Sequence, residues 1–171
     1  PPVFAHLPLI LGQDGSKLSK RNSEGLTSVQ EFRDNGYIAP ALNNFLMLLG
    51  WSHPEGVEQL TIEQATEVFD LGRVNQTAAI FDDSKLRFLN GWWIRHADVE
   101  PLAEEALEFA GEYKGLIEQR GAKYWTQAFS ELRDGIGMLT EVETLAAQLL
   151  RLDNPLSTEV LERFSDKDER G

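Results

Sequence analysis

Residues Gly15 to Arg21 read GSKLSKR, which puts three basic side chains and two hydroxyls directly behind a glycine turn. Ammonium groups on such a loop can follow an anion whose charge grows during a reaction, and serine hydroxyls and loop N–H groups can add hydrogen bonds. The anion this chemistry suits is a phosphate. The spacing is not that of a Walker loop, because Gly12, Gly15 and Lys17 do not complete the G-x-x-x-x-G-K-[ST] frame. Taken alone, K-x-S-K-R also fits a solvated turn with ordinary surface lysines. No second constellation of nucleophile and base accompanies it.

The loop stands out against an acidic chain. The 171 residues carry 16 Lys+Arg against 28 Asp+Glu, a net charge of −12. The imbalance is uneven: residues 1–50 are neutral, 51–100 sum to −5 and 101–171 to −7. An acidic total argues against tight non-specific binding of nucleic acid, whose affinity comes mostly from released counterions. A shaped RNA contact through one locally basic face is still compatible with it. The chain has no cysteine, and His6, His53 and His96 lack ligand spacing, so neither disulfides nor structural zinc is expected. No apolar run approaches the roughly 20 residues of a membrane span, and no signal-peptide pattern is present. A soluble, cytoplasmic protein without membrane contact, and a monomer, is the expectation. The start at Pro1-Pro2-Val3, without an initiator methionine, suggests a piece of a longer protein.

The elements that must position the loop are mostly helical. Val3 to Leu11, VFAHLPLIL, is nearly continuous apolar sequence and predicts a buried or edge strand ending at the turn GQDG, with His6 as a strand residue. Ser28 stands three residues before Glu31, a capping-box spacing, and Gly36 suits a helix stop. Pro40 precedes a stripe of Leu42, Phe45, Leu46 and Leu49. Thr61 with Gln64 repeats the capping box, and FDDSKLRFLNGWWI sets Leu86, Phe88, Leu89 and Trp93 toward a core. Further helices are expected around PLAEEALEFAG, YWTQAFSELRDGIG and TEVETLAAQLLRL, the last opened by Thr140 and Glu143 as a third capping box. Trp51, Trp92 and Trp93 read as core packing more readily than as base-stacking faces. The pattern predicts one strand and turn followed by about seven or eight helices in two groups, divided near Asn90 to Glu100.

Three blocks in order, HLPLILGQDGSKLSKR, GYIAPALNNFLMLLGWS and FDDSKLRFLN, resemble the glutamyl-tRNA synthetases, class I aminoacyl-tRNA synthetases with a KMSKS loop. The resemblance covers about residues 4–95, and no sharp motif extends it over 96–171. It implies a mainly α chain. Residues 1–25 would be the C-terminal edge of a Rossmann-type α/β catalytic domain carrying the loop, 26–95 a helical stem-contact region, and 96–171 the start of an α-helical anticodon-binding bundle. Lys17, Leu18, Ser19, Lys20 and Arg21 become the ATP-binding KMSKS segment, with Lys20 the principal phosphate contact and Lys17 helping to hold the loop over the nucleotide. Leu18 and Arg21 depart from the general class I loop and are familiar variants in the glutamate branch.

The implied activity is that of glutamate-tRNA ligase, with tRNA(Glu), glutamate and ATP with Mg2+ as substrates and no zinc in this piece. The family's His-x-Gly-His motif, the other half of its ATP site, does not occur here, so the isolated piece is expected to be inactive. Arg33, Tyr37, Arg73, Lys85 and Arg87 could reach RNA phosphates, but each fits a solvated charge or a core-edge ring as well, and no tRNA contact is assigned. Two related enzymes fit less well: a glutamyl-queuosine synthetase ends soon after the loop, and a glutaminyl-tRNA synthetase continues into β-barrels. The alternative from another class is a non-catalytic helical module that binds tRNA or a protein, which would account for the acidic second half.

Overall fold

The structure is a computed structural model that describes residue 4 and residues 6–18 and 28–150. The chain divides into two compact units, residues 1–93 and 94–171. Among the described residues it is dominated by helices, with one two-stranded parallel pair.

The first unit builds helices where capping and periodicity coincide. Helix α1 (Val29–Asp34) starts at Ser28, whose hydroxyl accepts from Glu31 N at 3.2 Å while the Glu31 carboxylate accepts from Ser28 N at 2.8 Å. Gly36, with φ 82°, turns the chain beyond its end. Helix α2 (Ala39–Gly50) has Pro40 in its first turn and no side-chain cap of its own. Its entry is held from a distance instead: the buried amide of Asn90 accepts from Ile38 N at 2.9 Å and donates to Gly36 O at 3.2 Å. Helix α3 (Ile62–Val68) begins with the expected Thr61–Gln64 capping box. Helix α4 (Asp83–His96) comes next, and the division between units falls within it.

The core of this unit gathers Phe32, Leu42, Phe45, Leu49, Phe81, Leu86 and Leu89, with Ile10, Leu18 and Tyr37 packed at its margin. Phe45 meets Phe81 edge-on with centroids 4.8 Å apart, a favoured aromatic arrangement. A second cluster joins Trp51, Leu60 and Ala65. Asn44 is fully buried and ties elements together: its Nδ2 donates to Glu58 O at 2.8 Å, and its Oδ1 accepts from Trp93 Nε1 at 2.9 Å.

Several expectations need correction. Of the strand expected over Val3 to Leu11, Val3 and Ala5 lie outside the described residues, and among the described residues it is regular only at β1 (Ile10–Leu11), paired in parallel with β2 (Ala79–Ile80). His6 is exposed and outside any strand, and Leu7 and Leu9 are largely exposed. A parallel strand normally needs neighbours on both edges and cover on both faces. In residues 6–9, among the described residues, no ladder partner supplies that, and Pro8 has no N–H to donate. Leu46 and Phe88, both expected in the core, are exposed. On α4 the inward row runs Leu86, Leu89, Asn90, Trp93, so Phe88 lies on the outer side and an asparagine holds a core position.

The second unit comprises α5 (Val99–Leu107), α6 (Lys114–Arg120), α7 (Ala122–Leu132) and α8 (Val142–Leu150). Helix α7 packs on α5 and α6. Trp125 and Phe129 are buried on its inner face, and Trp125 Nε1 donates to Ala103 O of α5 at 2.6 Å. Gly121, at φ 91°, joins α6 to α7 with a dihedral that L side chains rarely adopt. The third capping box is displaced: Thr140 lies inside a 3-10 turn, Leu139–Glu141, that runs directly into α8. Glu141 takes the capping role toward the preceding loop, its Oε2 accepting from Gly137 N at 2.9 Å.

Candidate nucleotide site

The base of the basic loop is a small hairpin whose shape comes from its glycines and one carboxylate. Strand β1 leads into Gly12, and Gly12 N donates to Ser16 O at 2.8 Å while Gly15 N donates to Gly12 O at 3.0 Å. Gly15 adopts φ 77°, the left-handed conformation that makes glycine the natural residue there. Inside the turn, Asp14 Oδ1 accepts from Ser16 N at 2.9 Å. That bond, together with the Ser16 hydroxyl, holds the Asp14 carboxyl below its usual range.

The returning arm places Lys17 opposite Leu11 in an antiparallel bridge, and Leu18 N donates to Ile10 O at 3.0 Å. On the other edge of β1, Phe81 N donates to Leu11 O at 2.8 Å, and Gln13 Nε2 reaches Phe81 O at 3.4 Å. The loop base is thus stitched on both sides, to its own return and to the segment that opens α4. Alternation then separates the two residues that leave it: Leu18 is half-buried against the first unit's core, and Lys17 is exposed. Among the described residues Lys17 has no carboxylate partner. Of the expected phosphate-binding residues, Lys17 and Leu18 are described, and Ser19, Lys20 and Arg21 lie outside the described residues.

The candidate RNA contacts do not form one cluster. Lys85 is committed to Glu58, with Nζ 2.6 Å from Oε1. Arg33 and Arg73 are exposed at the ends of α1 and of the 3-10 turn Leu71–Arg73. Tyr37 packs its ring edge-on against Phe32, and burial raises its hydroxyl pKa above the ordinary value, opposed by Arg87 and reinforced by Asp83. Of these residues, Tyr37 and Arg87 interact with each other. An apolar groove of about 360 Å³, lined by Leu7, Leu9, Leu46, Trp51, Phe69 and Leu71 among others, carries no charged side chain and offers nothing to a phosphate. No group of three or more His, Asp or Glu among the described residues is arranged to hold a metal ion.

Sequence reasoning misses Asp14 and both buried asparagines. For Asp14 a partial signal exists, since an Asp-Gly pair between strand-like arms is where a carboxylate caps a turn from within. For Asn44 and Asn90 the sequence carries none, because their partners lie 14 to 54 residues away along the chain.

Comparison with known proteins places the chain in a family. The family described as tRNA synthetases class I (E and Q), catalytic domain, matches residues 1–88. The glutamate–tRNA ligase of Moorella thermoacetica is 42% identical over 85% of this chain and 30% of its own length. Glutamate–tRNA ligase 2 of Caldicellulosiruptor saccharolyticus is also 42% identical, over 83% of this chain and 29% of its own. The chain thus spans about a third of the curated relatives it matches. Among solved structures, the glutamate-tRNA synthetase of Elizabethkingia anophelis superposes with a TM-score of 0.65 over 84% of this chain and 32% of that one, at 22% identity, a likeness of fold. With residues 1–88, just over half of the chain, matched to that family, the chain belongs to the class I tRNA synthetases of the E and Q group.

Proposed function

We propose that this chain is the part of a glutamate–tRNA ligase that carries the lysine side of the ATP site and the first helices beyond it. The observation that supports this most is the catalytic-domain family match over residues 1–88, the stretch that contains KLSKR and the hairpin that pins its first residue, Lys17. Residues 1–25 form the edge of the α/β catalytic domain, 26–95 the stem-contact region and 96–171 the start of the helical anticodon-binding region. The glutamate carboxylate attacks the α-phosphorus of ATP, supplied as its Mg2+ complex. The bond to the bridging oxygen breaks, and pyrophosphate leaves with the electron pair. A hydroxyl of the tRNA's terminal ribose then attacks the glutamyl carbonyl of the adenylate, losing its proton, and AMP leaves with the electron pair of the broken acyl–phosphate bond.

In this reading Lys20 places its ammonium on the phosphates and stabilises the charge that develops on the departing pyrophosphate. Lys17, exposed and without a carboxylate partner among the described residues, holds the loop over the nucleotide, while Leu18 anchors it in the core. The test is ATP–pyrophosphate exchange with glutamate and tRNA. The complete ligase carrying this segment exchanges, and residues 1–171 alone do not. Exchange by the isolated segment would remove the need for a complementary histidine motif and with it this division of the site.

A further inference from the structure

The loop proposed to hold a polyphosphate is preceded, three residues before its first lysine, by the carboxylate of Asp14. A carboxylate free to swing there would repel the ligand. This one is tied into the turn. Oδ1 accepts from Ser16 N at 2.9 Å, and the same atom would stand 3.0 Å from a Cβ placed on Gly12. A side chain at Gly12 would crowd the carboxylate, which would have to give by a few tenths of an ångström. Gly15 supplies the left-handed residue, and the Gly12 N to Ser16 O bond closes the ring. Among the described residues Asp14 forms no ion pair with Lys17, so neutralising that lysine is not its part.

The turn fixes how the returning arm pairs with β1. A one-residue slip of that arm would exchange the two faces, turning Lys17 toward the core and Leu18 toward solvent. The register observed, Leu11 opposite Lys17, is the one that sends lysine outward and leucine inward.

We infer that Asp14 is a positioning residue: its carboxylate locks the Gly12–Ser16 turn and thereby sets the register from which Lys17 is aimed at the polyphosphate of ATP. This rests on the nucleotide reading above. Asp14 touches neither substrate nor reacting atom. Its loss spreads the loop over several registers, only one of which is productive, so it lowers turnover and leaves affinity for glutamate alone.

The test uses the complete ligase carrying this segment, in ATP–pyrophosphate exchange with saturating tRNA. The variants are Asp14→Ala, Asp14→Asn, Gly12→Ala, the double variant Gly12→Ala/Asp14→Ala, and Lys20→Ala as reference. Asp14→Ala is expected to lower kcat roughly tenfold with KM for glutamate unchanged, the scale of a catalytic group held slightly out of place. Asp14→Asn keeps an oxygen that can accept from Ser16 N and stays within about twofold of the parent. Gly12→Ala, which only crowds the carboxylate, falls between the parent and Asp14→Ala, and the double variant is no worse than Asp14→Ala alone, because both act on the same contact. Equal impairment of the alanine and asparagine variants overturns the inference. So does normal kcat in Asp14→Ala beside a crippled Lys20→Ala, a result that leaves the nucleotide reading standing. Normal exchange in Lys20→Ala instead removes the nucleotide reading itself.

Discussion

The two units bury their polar groups in different ways. In residues 1–93, buried asparagines bond across long stretches of chain: Asn90 holds the entry of α2, and Asn44 receives Trp93 and reaches Glu58 O. Among the described residues of 94–171 the buried core is apolar and aromatic, and two side chains reach single carbonyls far along the chain, Trp125 to Ala103 and Arg133 to Ala97. Hydrophobic packing alone tolerates sliding and repacking, whereas a buried amide with two partners fits in one arrangement. The unit that presents the basic loop is the one fixed by such amides. Aiming a lysine, the role proposed for the loop, needs a unique register, while an acidic helical unit without a described site can be held by packing.

Breaking that contrast begins with Asn90→Ala. It leaves Ile38 N and Gly36 O buried without their partner, and urea unfolding of the first unit should show a loss of roughly 2–4 kcal/mol. Next comes a pair of tryptophans. Trp93→Phe strips Asn44 of a donor, whereas Trp51 Nε1 is buried without a partner among the described residues, so Trp51→Phe removes a group that these residues leave unsatisfied. The first should cost about 1–2 kcal/mol more than the second. Equal losses would mean that ring volume, not hydrogen bonding, sets both.

A smaller effect is expected at Tyr37, whose pKa is raised by burial, with Asp83 adding to the rise and Arg87 opposing it. The folded state favours the neutral phenol, so the associated stability is complete below pH 10 and is lost as pH rises through the folded value. Tyr37→Phe should flatten the alkaline limb of a stability–pH curve and leave the neutral region unchanged. Smallest is Lys114→Ala in the second unit, where the 2.7 Å pair with Glu108 is open to solvent. No measurable change in thermal midpoint is expected there.

Local chemistry is legible in the sequence and tertiary context is not. Two capping boxes, Ser28–Glu31 and Thr61–Gln64, form as their spacing predicts because each involves residues three apart. The third fails because Leu139 is fully buried and a 3-10 turn carries Thr140 into α8. Hydrophobicity points Phe88 inward, yet the row i, i+3, i+4, i+7 from Leu86 passes through Asn90, a residue that pattern counts as polar. The long strand fails because a parallel ladder depends on partners elsewhere in space. At the candidate site, the lysine loop is readable from its residues and their ordered flanking blocks. The part played by Asp14 is not, since an Asp-Gly pair marks a turn without saying that the carboxylate folds back over Gly12.

The most direct test of the central claim is the rate of glutamyl-adenylate formation in a single turnover by the complete ligase, parent against Lys20→Ala, with ATP affinity measured alongside. The account predicts a chemical step slowed on the order of 10²–10³-fold, the loss typical of one preorganised donor to a developing anion, with a much smaller change in Kd for ATP. An unchanged single-turnover rate in Lys20→Ala would contradict it.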